Sequence, residues 1–78
     1  MENKNGIENT MEILKSNISR ILWEKDQSMR WLSLKIGKHE RYIACMLRGE
    51  LVPSLQVICK IAEVLRVSVA DLFTKKEG

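Results

Sequence analysis

The fold is decided by residues 28–48, SMRWLSLKIGKHERYIACMLR, which predict two short helices joined by a tight turn. Ser28 suits the N-cap of the first helix, because its hydroxyl can accept a free backbone N–H. Gly37 can end that helix, since glycine adopts positive φ without strain. We expect helices over residues 28–36 and about 40–48, with Gly49 ending the second helix.

The apolar residues of this stretch fall on one side of each helix. Leu32 and Ile36 are four residues apart, and the small Ser33 beside them allows the second helix to pack closely. The inner face of the second helix has similar spacing and consists of Ile43, Met46 and Leu47. Each helix therefore has a face that can be buried.

The outer, N-terminal face of the second helix is polar, basic and aromatic. It consists of Lys38, His39, Glu40, Arg41, Tyr42 and Cys45. Such polar and charged side chains are unfavourable in a protein core, so we expect this face to be exposed. A helix with an apolar back and such a front, placed after a glycine turn, is suited to a DNA major groove.

Apolar stripes predict further helices on both sides of this pair. A capping box of Asn9 and Glu12 predicts an N-terminal helix that begins near residue 9 or 10 and ends near residues 25–27. Its stripe consists of Met11, Leu14, Ile18, Ile21 and Leu22. Ser54 should cap a later helix, whose buried stripe would be Leu55, Ile58, Ile61, Ala62 and Leu65. Ser68 should cap a last short helix.

The chain of 78 residues is short enough for one domain. The patterns predict an all-α fold of five helices, with a flexible arm at residues 1–10, the domain at 11–74 and a solvated tail at 75–78. The net charge of +3 favours a polyanionic partner. Two cysteines are too few for a disulfide framework, so we expect reduced thiols and a cytoplasmic location. No apolar run is long enough for a membrane span.

From about residue 17 to residue 73, the chain resembles the helix-turn-helix domain of the phage repressor and Cro type, the XRE family. The matching positions are Ser28, Leu32, Ser33, Ile36, Gly37, Ile43, Met46, Gly49, Pro53, Ser54, Leu55, Ile61, Ala62, Leu65, Val67, Ser68, Leu72 and Phe73. The resemblance implies a compact, lambda-repressor-like fold that binds double-stranded DNA, usually as a homodimer on a near-palindromic operator. The chain departs from the family at Leu47, commonly Glu, at His39, commonly Ser or Thr, and at Met29, often Gln.

The resemblance also implies which residues contact DNA. The residues placed at the bases are Glu40, Arg41, Tyr42 and Cys45, and those placed at phosphates are Ser28, Met29, Lys38, His39 and Arg48. Arg41 is the strongest candidate for direct readout, because its guanidinium can bond guanine O6 and N7 together. Glu40 could accept from cytosine N4 or hold Arg41 in place. The alternative for this face is a set of solvated charges.

Two apolar sets have a packing interpretation and a binding interpretation. Trp31 and Leu34 lie three residues apart on the outer side of their helix. In the packing interpretation, the N-terminal arm or Trp23 covers them. In the binding interpretation, they contact a protein partner. Val57, Val64 and Val69 are candidates for a dimer surface, or for the edge of the core.

We expect no metal, no cofactor and no catalysis. His39, Cys45 and Cys59 lack the spacing of a zinc site, and His39 and Cys45 point in different directions on a helix. The sequence thus favours a DNA-binding transcriptional regulator, a repressor that binds a palindromic operator as a homodimer. The alternatives are an antitoxin of a toxin–antitoxin pair, or a protein-interaction module that uses Trp31 and Leu34.

Overall fold

A computed structural model describes the backbone of residues 6–75 and the side chains of residues 9–75. Five helices follow one another: α1 (Gly6–Glu24), α2 (Met29–Lys35), α3 (Tyr42–Leu47), α4 (Leu55–Leu65) and α5 (Val69–Leu72). Residues 6–75 contain no strand. The predicted all-α fold of five helices is therefore confirmed.

One core joins the helices, because each contributes its apolar side to it. α2 packs against α3 and α4, and α5 packs against α1 and α4. The side chains with no exposed surface include Leu14 and Ile18 of α1, Leu32 of α2, Ile43 of α3 and Leu65 of α4. Burial of these large side chains stabilises the fold and fixes α3 against α2.

Serine residues cap three of the helices, as the sequence predicts. The Ser28 hydroxyl accepts from the Trp31 N–H at 2.9 Å, and the Ser54 hydroxyl accepts from the Val57 N–H at 3.2 Å. Ser68 forms a capping box with Asp71, because each side chain accepts the other residue's backbone N–H. The bonds satisfy donors that the first turn of a helix leaves unpaired.

The start of α1 differs from the prediction. The helix begins at Gly6, so Asn9 lies inside it and does not cap it. No proline interrupts residues 6–9, so the backbone can continue the helix toward the N-terminus. Residues 6–10 of the predicted arm are therefore helical, whereas residues 1–5 and 76–78, the rest of the arm and most of the tail, lie outside the described residues.

Leu55 is also placed differently from the prediction. Its neighbours on the α4 stripe, Ile58, Ile61, Ala62 and Leu65, are buried as expected, but Leu55 is 70% exposed. It is the first residue of α4, directly after the Ser54 cap, and it projects beyond the edge of the core. The helical period alone does not show where the core ends.

Asn17 makes a long-range connection that the sequence did not predict. Its side chain is 2% exposed, and Nδ2 donates to the carbonyl oxygens of Leu72 at 2.7 Å and Thr74 at 3.0 Å. The Leu72 carbonyl is at the last residue of α5, where a helix leaves carbonyls unpaired, and the Thr74 carbonyl follows just beyond it. Asn17 therefore holds the C-terminal segment against α1.

Candidate nucleic-acid interface

The turn between α2 and α3 is closed by two backbone hydrogen bonds around Gly37. The Gly37 N–H donates to the Leu34 carbonyl at 3.0 Å, and the Lys38 N–H donates to the Ser33 carbonyl at 2.9 Å. This pair of bonds is a Schellman motif, which requires a left-handed residue, and Gly37 has a φ of 81°. The turn sends the chain sharply from α2 into α3.

Ser33 connects α2 to the start of α3 through its hydroxyl group. The residue is fully buried. Its Oγ donates to the Met29 carbonyl at 2.8 Å and accepts the Ile43 N–H at 2.9 Å. The sequence alone indicates only that Ser33 is small enough for close packing. The structure shows a hydroxyl that also satisfies a buried donor at the start of α3.

The segment before α3 differs from the predicted helix start. α3 begins at Tyr42, so Glu40 and Arg41 lie in the preceding turn. The His39 carbonyl accepts the Tyr42 N–H at 3.0 Å, and His39 Nδ1 accepts the Arg41 N–H at 3.2 Å. The His39 side chain thus accepts one backbone donor, as a Ser or Thr hydroxyl would in a helix cap. These bonds fix the backbone of Arg41 at the front of α3.

The Tyr42 ring lies at the start of α3, in contact with two side chains of the turn. The ring lies 5.3 Å from the Lys38 Nζ and meets the His39 ring edge-on, with ring centroids 6.1 Å apart. Partial burial raises the pKa of the Tyr42 hydroxyl, so the group stays protonated at neutral pH and can donate a hydrogen bond. Lys38 and His39 are therefore held near the same ring, on the exposed side of the turn.

An ion pair lies at each end of α3. Before the helix, Arg30 Nε contacts Glu40 Oε1 at 2.7 Å. After it, Arg48 Nε contacts Glu50 Oε2 at 2.8 Å, and a second guanidinium nitrogen contacts Oε1 at 3.3 Å. The guanidinium groups lower the pKa of both carboxyl groups, chiefly through these hydrogen bonds. All four side chains are exposed.

The partner of Glu40 corrects one sequence interpretation. Glu40 could have held Arg41, its neighbour in the chain, but it pairs with Arg30 of α2. Two adjacent residues in a turn direct their side chains apart, and the exposed side of α2 brings Arg30 within reach. Among residues 9–75, Arg41 and Lys38 have no carboxylate partner. Neither cation is neutralised by a carboxylate there, so each can meet a phosphate or a base, Lys38 from its place beside the Tyr42 ring.

The net positive charge of the chain is concentrated in the segment that contains α2, α3 and the turn between them. Residues 28–50 contain five basic and two acidic residues, a formal charge of +3. The whole chain also carries +3, so the remaining residues sum to zero. The two acidic residues are Glu40 and Glu50. The positive field that attracts a polyanion therefore arises from the two helices and their turn.

The other residues assigned to DNA lie on the same part of the chain. Ser28 and Met29 are exposed at the start of α2. Cys45 is half-buried on α3, and its Sγ lies 3.7 Å from an Arg48 nitrogen. Cys45 and Cys59 are free thiols. The structure thus brings the predicted contact residues to α2, α3 and the turn between them, and their roles toward DNA stay predictions.

The apolar residues assigned to a dimer or partner surface differ in how far they are exposed. Val57, Val64 and Val69 are half-buried and pack against the core, as does Trp31, whereas Leu34 is 49% exposed. The cover suggested for Trp31 is not Trp23, since Trp23 is itself 83% exposed. Cover by the N-terminal arm falls outside the described side chains.

Three other apolar residues are exposed outside the predicted partner surfaces. Val52, Leu55 and Met29 are 76%, 70% and 43% exposed. Val52 and Leu55 flank Pro53 and Ser54, in the segment that leads from α3 into α4. No periodic signal marks Val52, because it lies in a loop.

Among the described residues, no helix is long and apolar enough to cross a membrane. The same residues contain no group of three His, Cys, Asp or Glu side chains that could hold a metal ion. The surface around α3 presents exposed cations, two paired carboxylates and the rings of Tyr42 and His39.

Two short helices that share a buried side, joined by a glycine turn and flanked by the exposed cations Lys38, Arg41 and Arg48, define a helix-turn-helix DNA-binding unit. Comparison with known families agrees, since residues 25–72 match the profile of a helix-turn-helix family. The chain belongs to this family, whose members are of the XRE type, and it is a DNA-binding protein of the transcription-regulator class. No curated protein and no solved structure shows significant similarity to the chain.

Proposed function

We propose that the protein is a transcriptional repressor that binds a palindromic operator as a homodimer, with α3 as the recognition helix. The observation that carries the proposal is the location of the net charge. The whole formal +3 lies on residues 28–50, and Arg41 projects there without a carboxylate partner. A cation held at the front of a recognition helix is placed to reach bases in a major groove.

The contacts divide into those that read bases and those that fix register. Arg41 reads guanine through two hydrogen bonds, with Glu40, Tyr42 and Cys45 beside it. Ser28, Met29, Lys38, His39 and Arg48 contact phosphates. Phosphate contacts supply affinity that depends on salt, whereas base contacts supply discrimination.

The homodimer follows from the small size of the reader. α3 has six residues. A helix of this length makes too few base contacts for tight and specific binding by one copy. Two copies would place their recognition helices in successive major grooves, with half-site centres about 34 Å apart. The proposed dimer surface combines Val57, Val64 and Val69. Sedimentation velocity, with and without a palindromic duplex, tests this part of the proposal.

Repression follows if the bound dimer covers promoter DNA and blocks access to it. This mode requires no catalytic group and no cofactor, and we propose that the protein acts in the cytoplasm as a non-enzymatic regulator. A reporter gene with the selected operator overlapping its promoter tests the sense of regulation. Lower expression in the presence of the protein supports repression, whereas higher expression contradicts it.

A second candidate function is favoured by Leu34. Its side chain is 49% exposed, three residues along α2 from Trp31, which is half-buried at the edge of the core. A protein partner, such as the toxin of a toxin–antitoxin pair, would cover this apolar surface. In that case Leu34→Gln weakens partner binding and leaves operator affinity unchanged.

The decisive experiment is selection from random duplex DNA at two salt concentrations, followed by sequencing. An enriched inverted repeat supports the proposed function, and retention without enrichment contradicts sequence-specific reading. Binding of the selected operator is then compared for Arg41→Lys, Arg41→Ala and the control Lys25→Ala, an exposed cation beyond the end of α1.

We expect Arg41→Lys to lose about 1–3 kcal/mol of discrimination against the wrong base, because lysine cannot form the paired bonds to guanine. Its non-specific affinity should change little, since the charge is kept. Lys25→Ala should leave discrimination intact. If Arg41→Lys keeps full discrimination, Arg41 is a phosphate contact and not a base reader.

A further inference from the structure

Glu40 and Glu50 are the two acidic residues of the segment that carries the positive charge of the protein. Each pairs with an arginine, and the pairs lie at opposite ends of α3. Without these carboxylates, residues 28–50 would carry +5 and not +3. The two pairs therefore reduce the positive charge where a DNA duplex would approach.

The fold sets both carboxylates in place. Glu50 follows the positive-φ residue Gly49, and its N–H donates to the Cys45 carbonyl at 3.0 Å, which closes a second Schellman motif. Its backbone is thus fixed one residue beyond the turn that ends α3. Glu40 lies in the turn that His39 organises, within 2.7 Å of Arg30. One pair thus joins α2 to the turn before α3, and the other spans the turn after α3.

The pairs are exposed, which makes them weak and reversible. Exposed ion pairs contribute little to stability, because water screens them and side-chain entropy opposes them. A correctly matched base or phosphate contact can therefore open them. A randomly chosen duplex offers phosphates without the matched base contacts that fix register, and there each glutamate both occupies an arginine and repels the polyanion.

We propose that Glu40 and Glu50 are specificity-determining residues, which limit binding to non-cognate DNA by holding Arg30 and Arg48 away from phosphates. The proposal rests on DNA binding by the protein and deepens it. Arg30, which the sequence analysis did not assign, becomes a latent DNA contact. Arg48 becomes a phosphate contact that cognate binding makes available.

The test uses Glu40→Gln and Glu50→Gln, which remove the negative charge and keep the shape of the side chain. The matched control is Glu24→Gln. Glu24 forms an exposed pair with Arg20 at 3.3 Å, but this pair is on α1 and lies beside Arg66 and Val67, away from α3. All three variants raise the net charge of the chain by the same amount.

The probe is a fluorescein-labelled 20-base-pair duplex of random sequence, titrated with protein at 50, 100 and 200 mM salt and followed by fluorescence anisotropy. Each arginine released onto a phosphate should steepen the slope of log K against log salt by about 0.9. If that contact contributes nothing at 1 M salt, affinity at 0.1 M should rise by up to about 8-fold. The double variant should show both increments.

Affinity for the selected operator should rise less than affinity for random DNA, so the specificity ratio should fall in both variants. An equal rise in Glu24→Gln would show an effect of net charge alone and would overturn the proposal. Unchanged slopes in Glu40→Gln and Glu50→Gln would also overturn it. If the wild-type protein still binds the duplex in that case, the proposed DNA-binding function stands and only this inference fails. If the wild-type protein shows no salt-dependent binding to any duplex, the DNA-binding function fails, and this inference fails with it.

Discussion

Removal of the Ser33 hydroxyl should destabilise the protein although alanine is smaller and fits the same space. The Ile43 N–H lies at the start of α3, where a helix provides no backbone partner, and it donates to Ser33 Oγ at 2.9 Å. Both groups are fully buried, so water does not replace the lost acceptor. A buried donor left without a partner costs about 1–3 kcal/mol.

The magnitude can be measured by thermal and urea unfolding, followed by far-UV circular dichroism. For a domain of this size, each kcal/mol should lower Tm by roughly 4–8 °C. A central loss of about 2 kcal/mol therefore predicts a fall of about 8–16 °C in Ser33→Ala. The urea m-value should stay constant, since the surface exposed on unfolding is nearly unchanged.

Ser19→Ala is the matched control for this prediction. Ser19 is exposed within α1, so the same chemical change removes no buried bond. Alanine is the better helix former, and the control should gain a few tenths of a kcal/mol at most. If Ser33→Ala is as stable as Ser19→Ala, the hydroxyl does not stabilise the start of α3, and the argument from the unsatisfied donor is wrong.

Three further changes test other parts of the fold by the same unfolding measurements. Asn17→Ala should cost about 1–3 kcal/mol, because the buried Leu72 carbonyl at the end of α5 loses its donor; a smaller change would show that water replaces the amide. Gly37→Ala should cost about 1–2 kcal/mol, because φ is 81° while an added Cβ meets nothing within 4 Å, so the loss is conformational. Leu55→Gln should change stability by less than about 0.5 kcal/mol, since the side chain is 70% exposed. A loss of about 2–5 kcal/mol would show instead that Leu55 is packed.

Local patterns explain why much of the fold could be predicted. A cap depends on residues within three positions of each other, and Ser28, Ser54 and Ser68 all bond the N–H three residues ahead. Glycine at a left-handed turn is equally local, so Gly37 and Gly49 were placed correctly. The family resemblance then supplied the arrangement of the helices, which periodicity alone does not determine.

The missed features depend on distant parts of the chain. Asn17 bonds a carbonyl 55 residues away, and its position on α1 gives no sign of that partner. Arg30 and Glu40 are ten residues apart, on opposite sides of the turn, so their pairing depends on how α2 and α3 cross. Leu55 follows the helical period, but its exposure depends on where α4 leaves the core.

The structure separates what positions α3 from what α3 offers to DNA. Its position is set by buried groups, chiefly the Ser33 hydroxyl and the apolar side chains of Ile43 and Met46. Exposed side chains surround its start, and the Arg41 side chain has no carboxylate partner among the described residues. Substitution of Arg41 can therefore alter base preference with little effect on folding. Substitution of Ser33 should weaken both folding and base preference, because it releases the start of α3, which directly follows Arg41.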